Sequence, residues 1–273
     1  MYYDLNSNLY KKTKTNKSLK FLYNTLLGRL LLKFLTTKFV SNLYASYMNS
    51  KFSKHKIKRF IRKNNINMEE YEKEDYKSFN DFFIRNIKKS KRKLDDGIVA
   101  VCDSKLTIYK ISDDLKLKVK NSVYTIEELI KEKNKYKYAL VFRLDVCDYH
   151  HYIYIDDGIV ISNKTIEGVL HTVQPIAQKK YKVFVENTRE VTFLNCKKLG
   201  QVCYIEVGAL MVGKICNEKK NKFRKGEEKG HFEFGGSTVI VLVNKDVKFN
   251  KKIIENSKKE IETIVKMGQK IGW

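Results

Sequence analysis

The segment KGEEKGHFEFGGSTVIVLV, residues 225–243, changes character at its centre. Gly235 and Gly236 interrupt it with backbone freedom that no other residue has. Beyond them, Val239, Ile240, Val241, Leu242 and Val243 form an apolar, largely β-branched run that predicts a strand. Ser237 and Thr238 sit at the junction. The two glycines leave the Gly236 carbonyl open to attack by the next residue's hydroxyl. Taken alone, Gly-Gly-Ser-Thr is also a common turn.

The same β texture extends back to Ile98. The runs IVAVC, KLTIYKI, LKLKV, YALVFRL, HYIYI, GIVIS, YKVFVE, EVTFL and VCYIEV read as short strands. One helix interrupts them at residues 125–131, where Thr125 and Glu128 have capping-box spacing. Gly226 to Gly230 and Gly268 to Gly272 form two Gly-x-x-x-Gly turns, either a quasi-repeat or two unrelated loops. The expected fold class is α+β: packed antiparallel sheets over residues 76–273, behind an N-terminal helical segment over residues 1–75.

That first segment repeats Leu19, Leu22, Leu26, Leu30 and Phe34 at helical spacing, with Phe21, Leu27, Leu31 and Leu35 beside them. Arg29, Lys33 and Lys38 interrupt the pattern and argue against a membrane span. An amphipathic helix lying in a membrane surface fits it, and so does a helix docked on the protein's own core. Further helices are expected at residues 55–63 and 78–86.

Hydrophobic residues make up 42% and aromatics 12% of the 273 residues, enough apolar surface to exclude a disordered chain. The net charge is +24, and residues 1–66 hold 15 basic residues against one acid, Asp4. Such a patch attracts nucleic acid or an anionic membrane surface. No nucleic-acid motif accompanies it, so no nucleic-acid partner is expected; a Lys-rich bias that solvates the surface gives the same count. Five cysteines lie mostly in apolar runs, without zinc-ligand spacing, and read as reduced thiols. No secretory signal is recognised, because the basic start leads into a charged amphipathic stretch.

Five further segments accompany Gly-Gly-Ser-Thr. They are SFNDFFIR (78–85), Cys102-Asp103-Ser104, RLDVCDYHHY (143–152), LHTVQPIA (170–177) and EVGALMVGKI (206–215). Together with Gly226, Gly230 and Phe232 they resemble, in order, segments of the phosphatidylserine decarboxylase family. The likeness spans about residues 20–272. It implies that the Ser237 hydroxyl attacks the Gly236 carbonyl, turning the peptide bond into an ester. β-Elimination then separates residues 1–236 from residues 237–273, which stay associated. Loss of ammonia and addition of water would leave a covalent pyruvoyl group (pyruvate) at position 237. This cofactor would decarboxylate phosphatidylserine to phosphatidylethanolamine through a Schiff base, acting as the electron sink, with no metal. The resemblance further implies phospholipid biosynthesis and a homodimer, while the basic amphipathic N-terminus and the reduced cysteines lead to the expectation of peripheral attachment to an anionic surface at the cytoplasmic face of the membrane. The alternatives are a decarboxylase of another serine lipid or amino acid, or a non-enzymatic binder of anionic lipid or nucleic acid.

A base must activate Ser237, and a Ser-His-Asp arrangement supplies one. The resemblance maps the orienting Asp onto Asp103, which also reads as a turn residue between strands. The family's motif carries Asp-Tyr-His and then a second His. Here Asp148, Tyr149 and His150 match, and Ile153 stands where the second His is expected. His171 is the candidate to fill that vacancy, or else a hydrogen-bonded core histidine. His150 is the candidate proton donor to the substrate carbanion, or serves both steps. Strand alternation turns His151 away from His150 and predicts it on the surface, with His55 and His231 structural or exposed.

Overall fold

In the computed structural model, which describes residues 1–12, 17–112, 114–119, 122–210, 214–235 and 237–273, the chain opens with two short strands, β1 (Tyr2–Asp4) and β2 (Leu9–Lys11). Helices α1 (Lys17–Asn24), α2 (Leu26–Leu35), α3 (Lys38–Asn49), α4 (Lys56–Asn64) and α5 (Phe79–Phe83) follow. Next come β3 (Ile98–Val99), β4 (Ser104–Lys110), β5 (Lys116–Val119), β6 (Ser122–Thr125), α6 (Ile126–Ile130), β7 (Tyr138–Leu144), β8 (His151–Ile153) and β9 (Gly158–Ile166). Then α7 (Pro175–Gln178), α8 (Val183–Glu186), β10 (Arg189–Cys196), β11 (Gly200–Val207), β12 (Ile215–Asn217), β13 (Lys222–Phe223), β14 (Glu228–Phe232) and β15 (Ser237–Val243) are formed. α9 (Lys251–Lys258), β16 (Glu262–Val265) and β17 (Lys270–Gly272) close the chain.

A ten-stranded sheet in the order β13-β9-β10-β11-β15-β7-β4-β16-β1-β2 carries the fold. Its neighbours are antiparallel except β1 and β16. The α+β expectation therefore holds, with helices on an antiparallel-dominated sheet. β15 lies inside the sheet and is buried along its whole length, so neither face is free to be polar. Val239, Val241 and Val243 enter one core cluster, and Ile240 and Leu242 enter the other on the opposite face. A second, three-stranded sheet runs β12-β14-β8.

The N-terminal apolar repeat is three helices rather than one. Thr25 and Thr37 accept the backbone N–H groups of Gly28 and Val40, and each cap starts a new helix. Both readings of this segment find a face. Tyr23, Leu32 and Met48 are buried, whereas Leu26, Leu27, Leu30, Phe34, Phe39 and Phe52 are each more than half exposed. No described helix is long and apolar enough to cross a membrane.

Three local expectations need correction. YKVFVE is not a strand: residues 183–186 turn into α8, where Val183 and Phe184 are buried and Phe184 packs on Tyr124. Only Ile98 and Val99 of IVAVC form a strand, because Ala100 turns away to exchange hydrogen bonds with Gln269 and Gly268. The capping box at Thr125 and Glu128 is present, but its helix stops at Ile130, where Lys131 turns left-handed.

Candidate active site

The apolar run that makes β15 an interior strand brings its first residue, Ser237, beside Leu144 at the end of β7. The approach to Ser237 depends on Gly235, whose φ of +145° is strained for any side-chain-bearing residue. Gly236, one side of the expected scissile bond, lies outside the described residues, as do 211–213 of the EVGALMVGKI segment. Ser237 is fully buried, yet its Oγ has no hydrogen-bond partner among the described residues, and the Thr238 hydroxyl is in the same condition. A buried hydroxyl left unpaired costs about 1–3 kcal/mol. Two in succession mark a place where the fold gives up stability.

His150 is the third such group. It is wholly buried, its ring lies 4.2 Å from that of Phe83, and its Nε2 has no partner among the described residues. Its Nδ1 is 2.9 Å from the Asp148 carbonyl oxygen. A carbonyl only accepts, so Nδ1 carries the proton and Nε2 presents a bare lone pair. Burial pushes the imidazole down to about 3, so it is neutral at physiological pH. His150 is linked to the processing segment, because its carbonyl accepts the Phe232 N–H at 3.0 Å. Phe83 contacts both the His150 ring and the Phe234 ring, at 4.2 and 5.1 Å.

A buried charge network surrounds the end of β7. Arg143 donates to both oxygens of Glu262 at 2.7 Å and to Asp145 at 2.5 Å, and Lys105 pairs with the other Asp145 oxygen. Burial pushes Asp145 up, but the Arg143 and Lys105 cations outweigh it and hold the carboxyl at about 2. At Asp148 the charge of Lys266 pulls the carboxyl down and is outweighed. Burial, then the charge of Asp145, raises it to about 7 although it accepts the Asp145 N–H at 2.8 Å. Sequence reasoning placed Asp148 and Arg143 in matching segments but gave neither a role. The signal for Arg143 was a charge inside an apolar strand run, and for Asp148 its place in Asp-Tyr-His.

Asp103 is buried with both oxygens occupied. Arg92 grips them at 3.0 and 2.6 Å, Lys266 donates at 3.0 Å and the Met267 N–H at 2.8 Å. Burial pushes the carboxyl up, and the Lys266 and Arg92 charges more than reverse this. None of the hydrogen bonds recorded for it comes from a histidine. His171 is buried against the N-terminal helices. Its Nδ1 faces the Tyr23 hydroxyl at 3.4 Å, its Nε2 lies 3.9 Å from Glu186, and its ring stacks on Tyr181. The same Tyr23 hydroxyl accepts the Thr172 N–H, which ties the loop after Leu170 to α1. Ile153 is buried in the core.

His151 is not the surface residue that alternation predicted. It is 5% exposed, because β8 lies against Tyr149 and the end of α5, which cover its second face. His231 is half-buried and His55 exposed.

Residues 79–273 match the family model of phosphatidylserine decarboxylase. A phosphatidylserine decarboxylase proenzyme 2 of Clostridium acetobutylicum is 49% identical over 98% of this chain and 96% of its own length. Proenzymes of the same name from Fusobacterium nucleatum and Desulfitobacterium hafniense are 40% and 36% identical, over 80% and 99% of this chain and 78% and 97% of theirs. From its first helix to its last strand, this chain belongs to the phosphatidylserine decarboxylase family.

Proposed function

We propose that this chain is a self-processing decarboxylase of phosphatidylserine, activated by Ser237 and His150. The observation that carries the reading is the pair of unpaired buried atoms, Ser237 Oγ and His150 Nε2, on segments that touch at Phe232. Nε2 accepts the hydroxyl proton as Oγ attacks the Gly236 carbonyl, and the amide becomes an ester. Removal of the Ser237 Cα proton expels the Gly236 carboxylate and leaves dehydroalanine at the new terminus. Water then replaces ammonia. The site fits the pyruvoyl group this produces, because Oγ leaves with the Gly236 carboxylate and Cβ becomes a methyl group, so no hydrogen bond is given up where the hydroxyl had none among the described residues.

A pyruvoyl group at position 237 supplies a carbonyl that can engage an amine and an adjacent amide that takes up the electrons left by carbon dioxide. The chain's own groups do the rest. The Asp148 carbonyl fixes the His150 tautomer, so one nitrogen faces the reaction in a defined state. Phe83, Phe232 and Phe234 keep water from the site. When carbon dioxide leaves, the proton that replaces it would reach the substrate through His150 Nε2 from solvent, since the ring itself is neutral at rest. In this reading His171 holds the loop after Leu170 against Tyr23, and Asp103 holds the chain between β3 and β4 against Lys266 and Arg92. Neither transfers a proton.

The substrate lies in a bilayer, and α1 to α3 provide the means of reaching it. Their exposed leucines and phenylalanines enter the interfacial region while Lys20, Arg29, Lys33 and Lys38 meet anionic headgroups. The direct test is release of carbon dioxide and phosphatidylethanolamine from phosphatidylserine vesicles. Activity in the wild-type protein and none in Ser237→Ala is expected. Turnover of free serine instead of the lipid would overturn the substrate assignment.

A further inference from the structure

The three-stranded sheet β12-β14-β8 holds a cluster that the decarboxylation chemistry does not use. His151 of β8 pairs across the ladder with His231 of β14, and Cys216 of β12 pairs with His231 from the other side. The two imidazoles stack at 5.0 Å. Glu228, at the start of β14, brings Oε1 to 2.8 Å from His151 Nδ1 and 3.7 Å from His231 Nδ1. Among the described residues this is the one group of three such side chains whose donor atoms all lie within 4.8 Å of one another.

The tautomer of His151 gives the cluster its meaning. Nε2 is 3.1 Å from the Ile84 carbonyl oxygen, which can only accept, so that nitrogen carries a proton. In a neutral ring the Nδ1 lone pair then points at a carboxylate oxygen 2.8 Å away. Two lone pairs at that distance need a positive centre between them, either a second proton or a metal ion. A backbone carbonyl on the far nitrogen is also the usual support of a metal-bound histidine.

We propose that His151, Glu228 and His231 form a binding site for a divalent transition-metal ion, Zn2+ by the chemistry of the donors. Two imidazoles and one carboxylate, with a thiol beside them, are zinc-type ligands. With Zn–N of about 2.1 Å, tetrahedral ligand atoms stand roughly 3.4 Å apart. The His231–Glu228 separation of 3.7 Å matches that edge, and the His151–Glu228 contact of 2.8 Å opens slightly to admit the ion. Water completes the coordination. The cluster borders a cavity of about 330 Å³ with Glu72, Lys73, Asp81 and Arg85. Lys73 is paired with Asp81 at 2.7 Å, and Arg85 is turned onto the Tyr71 ring and backbone carbonyls, which limits their repulsion of a cation. Glu228 is 41% and His231 23% exposed, so an ion can enter.

The proton is the competitor: hydrogen bonds from His231 to Cys216 and then to Glu228 raise the imidazole to about 9. Glu228 and His231 stand three apart on β14, and the third ligand, His151, comes from β8, far away in sequence, so the set is assembled only by the fold. A bound ion would pin β14 to β8, and β14 ends five residues before Ser237. The site stands whether or not Ser237 is the nucleophile.

The test is calorimetric titration of Zn2+ into the full processed protein after treatment with a chelator. About one ion per chain is expected, with at least about tenfold weaker binding in Glu228→Gln and His231→Gln. Co2+ loaded into the wild-type protein should give the visible absorption of a four-coordinate site, a readout that needs no variant. Absence of zinc binding, unchanged binding in both variants, or a purely six-coordinate cobalt spectrum would each overturn the proposal.

Discussion

Replacing Leu27, Leu30 and Phe34 together by alanine should detach the protein from membranes without unfolding it. These side chains are 67%, 58% and 59% exposed and occupy one face of α2. A buried methylene is worth about 0.8 kcal/mol, so each leucine truncation removes about 1.5 kcal/mol of insertion energy once scaled by its exposed fraction, and the phenylalanine somewhat more. The sum is about 5 kcal/mol, more than about a thousandfold in partitioning at about 1.4 kcal/mol per decade. Flotation with vesicles containing anionic lipid measures the partition. Urea unfolding supplies the control, where a change within about 0.5 kcal/mol is expected for exposed sites. High salt should weaken wild-type binding further, because each basic residue near the surface contributes about 1 kcal/mol. Unchanged flotation, or a stability loss of several kcal/mol, would show that these residues pack on protein instead.

The histidine assignments separate on a denaturing gel. His150→Ala should remain largely one intact chain, whereas His171→Ala should still split; the reverse outcome would transfer the base to His171. Asp148 makes stability depend on pH. Its folded value is raised from the ordinary 3.8 to about 7, so the folded state binds the extra proton between those values and stability falls as pH rises through that window. Asp148→Asn should therefore be more stable than wild type at pH 8, by up to about 4 kcal/mol, with the difference fading near pH 4. Equal urea midpoints at both pH values would refute the assignment.

Where one physical signal dominated, the sequence was readable. β-Branched residues after Gly236 placed β15, and Thr125 with Glu128 placed the start of α6. Prediction failed where tertiary packing overrode local preference. Val183 and Phe184 favour a strand in isolation but are buried in a helical turn against Tyr124. Alternation sends His151 outward, which holds only while the second face of a strand meets water, and here Tyr149 and the end of α5 cover it. The pairing of β1 with β16 joins the two ends of the chain, a contact no local pattern encodes. Ser237 became a candidate nucleophile through the ordered motifs around it, since its glycines alone read as a turn. The locked tautomer of His150 was not, because it depends on a carbonyl placed by the turn after β7.

Intact-mass measurement of the purified protein tests the central claim most directly. Two chains are predicted, residues 1–236 and a 37-residue fragment beginning at position 237. The small chain should lack an amino terminus and carry the mass of a pyruvoyl group in place of serine, and Ser237→Ala should give one uncut chain. A small chain that begins with free serine, or a wild-type protein that stays whole while active, would contradict the account.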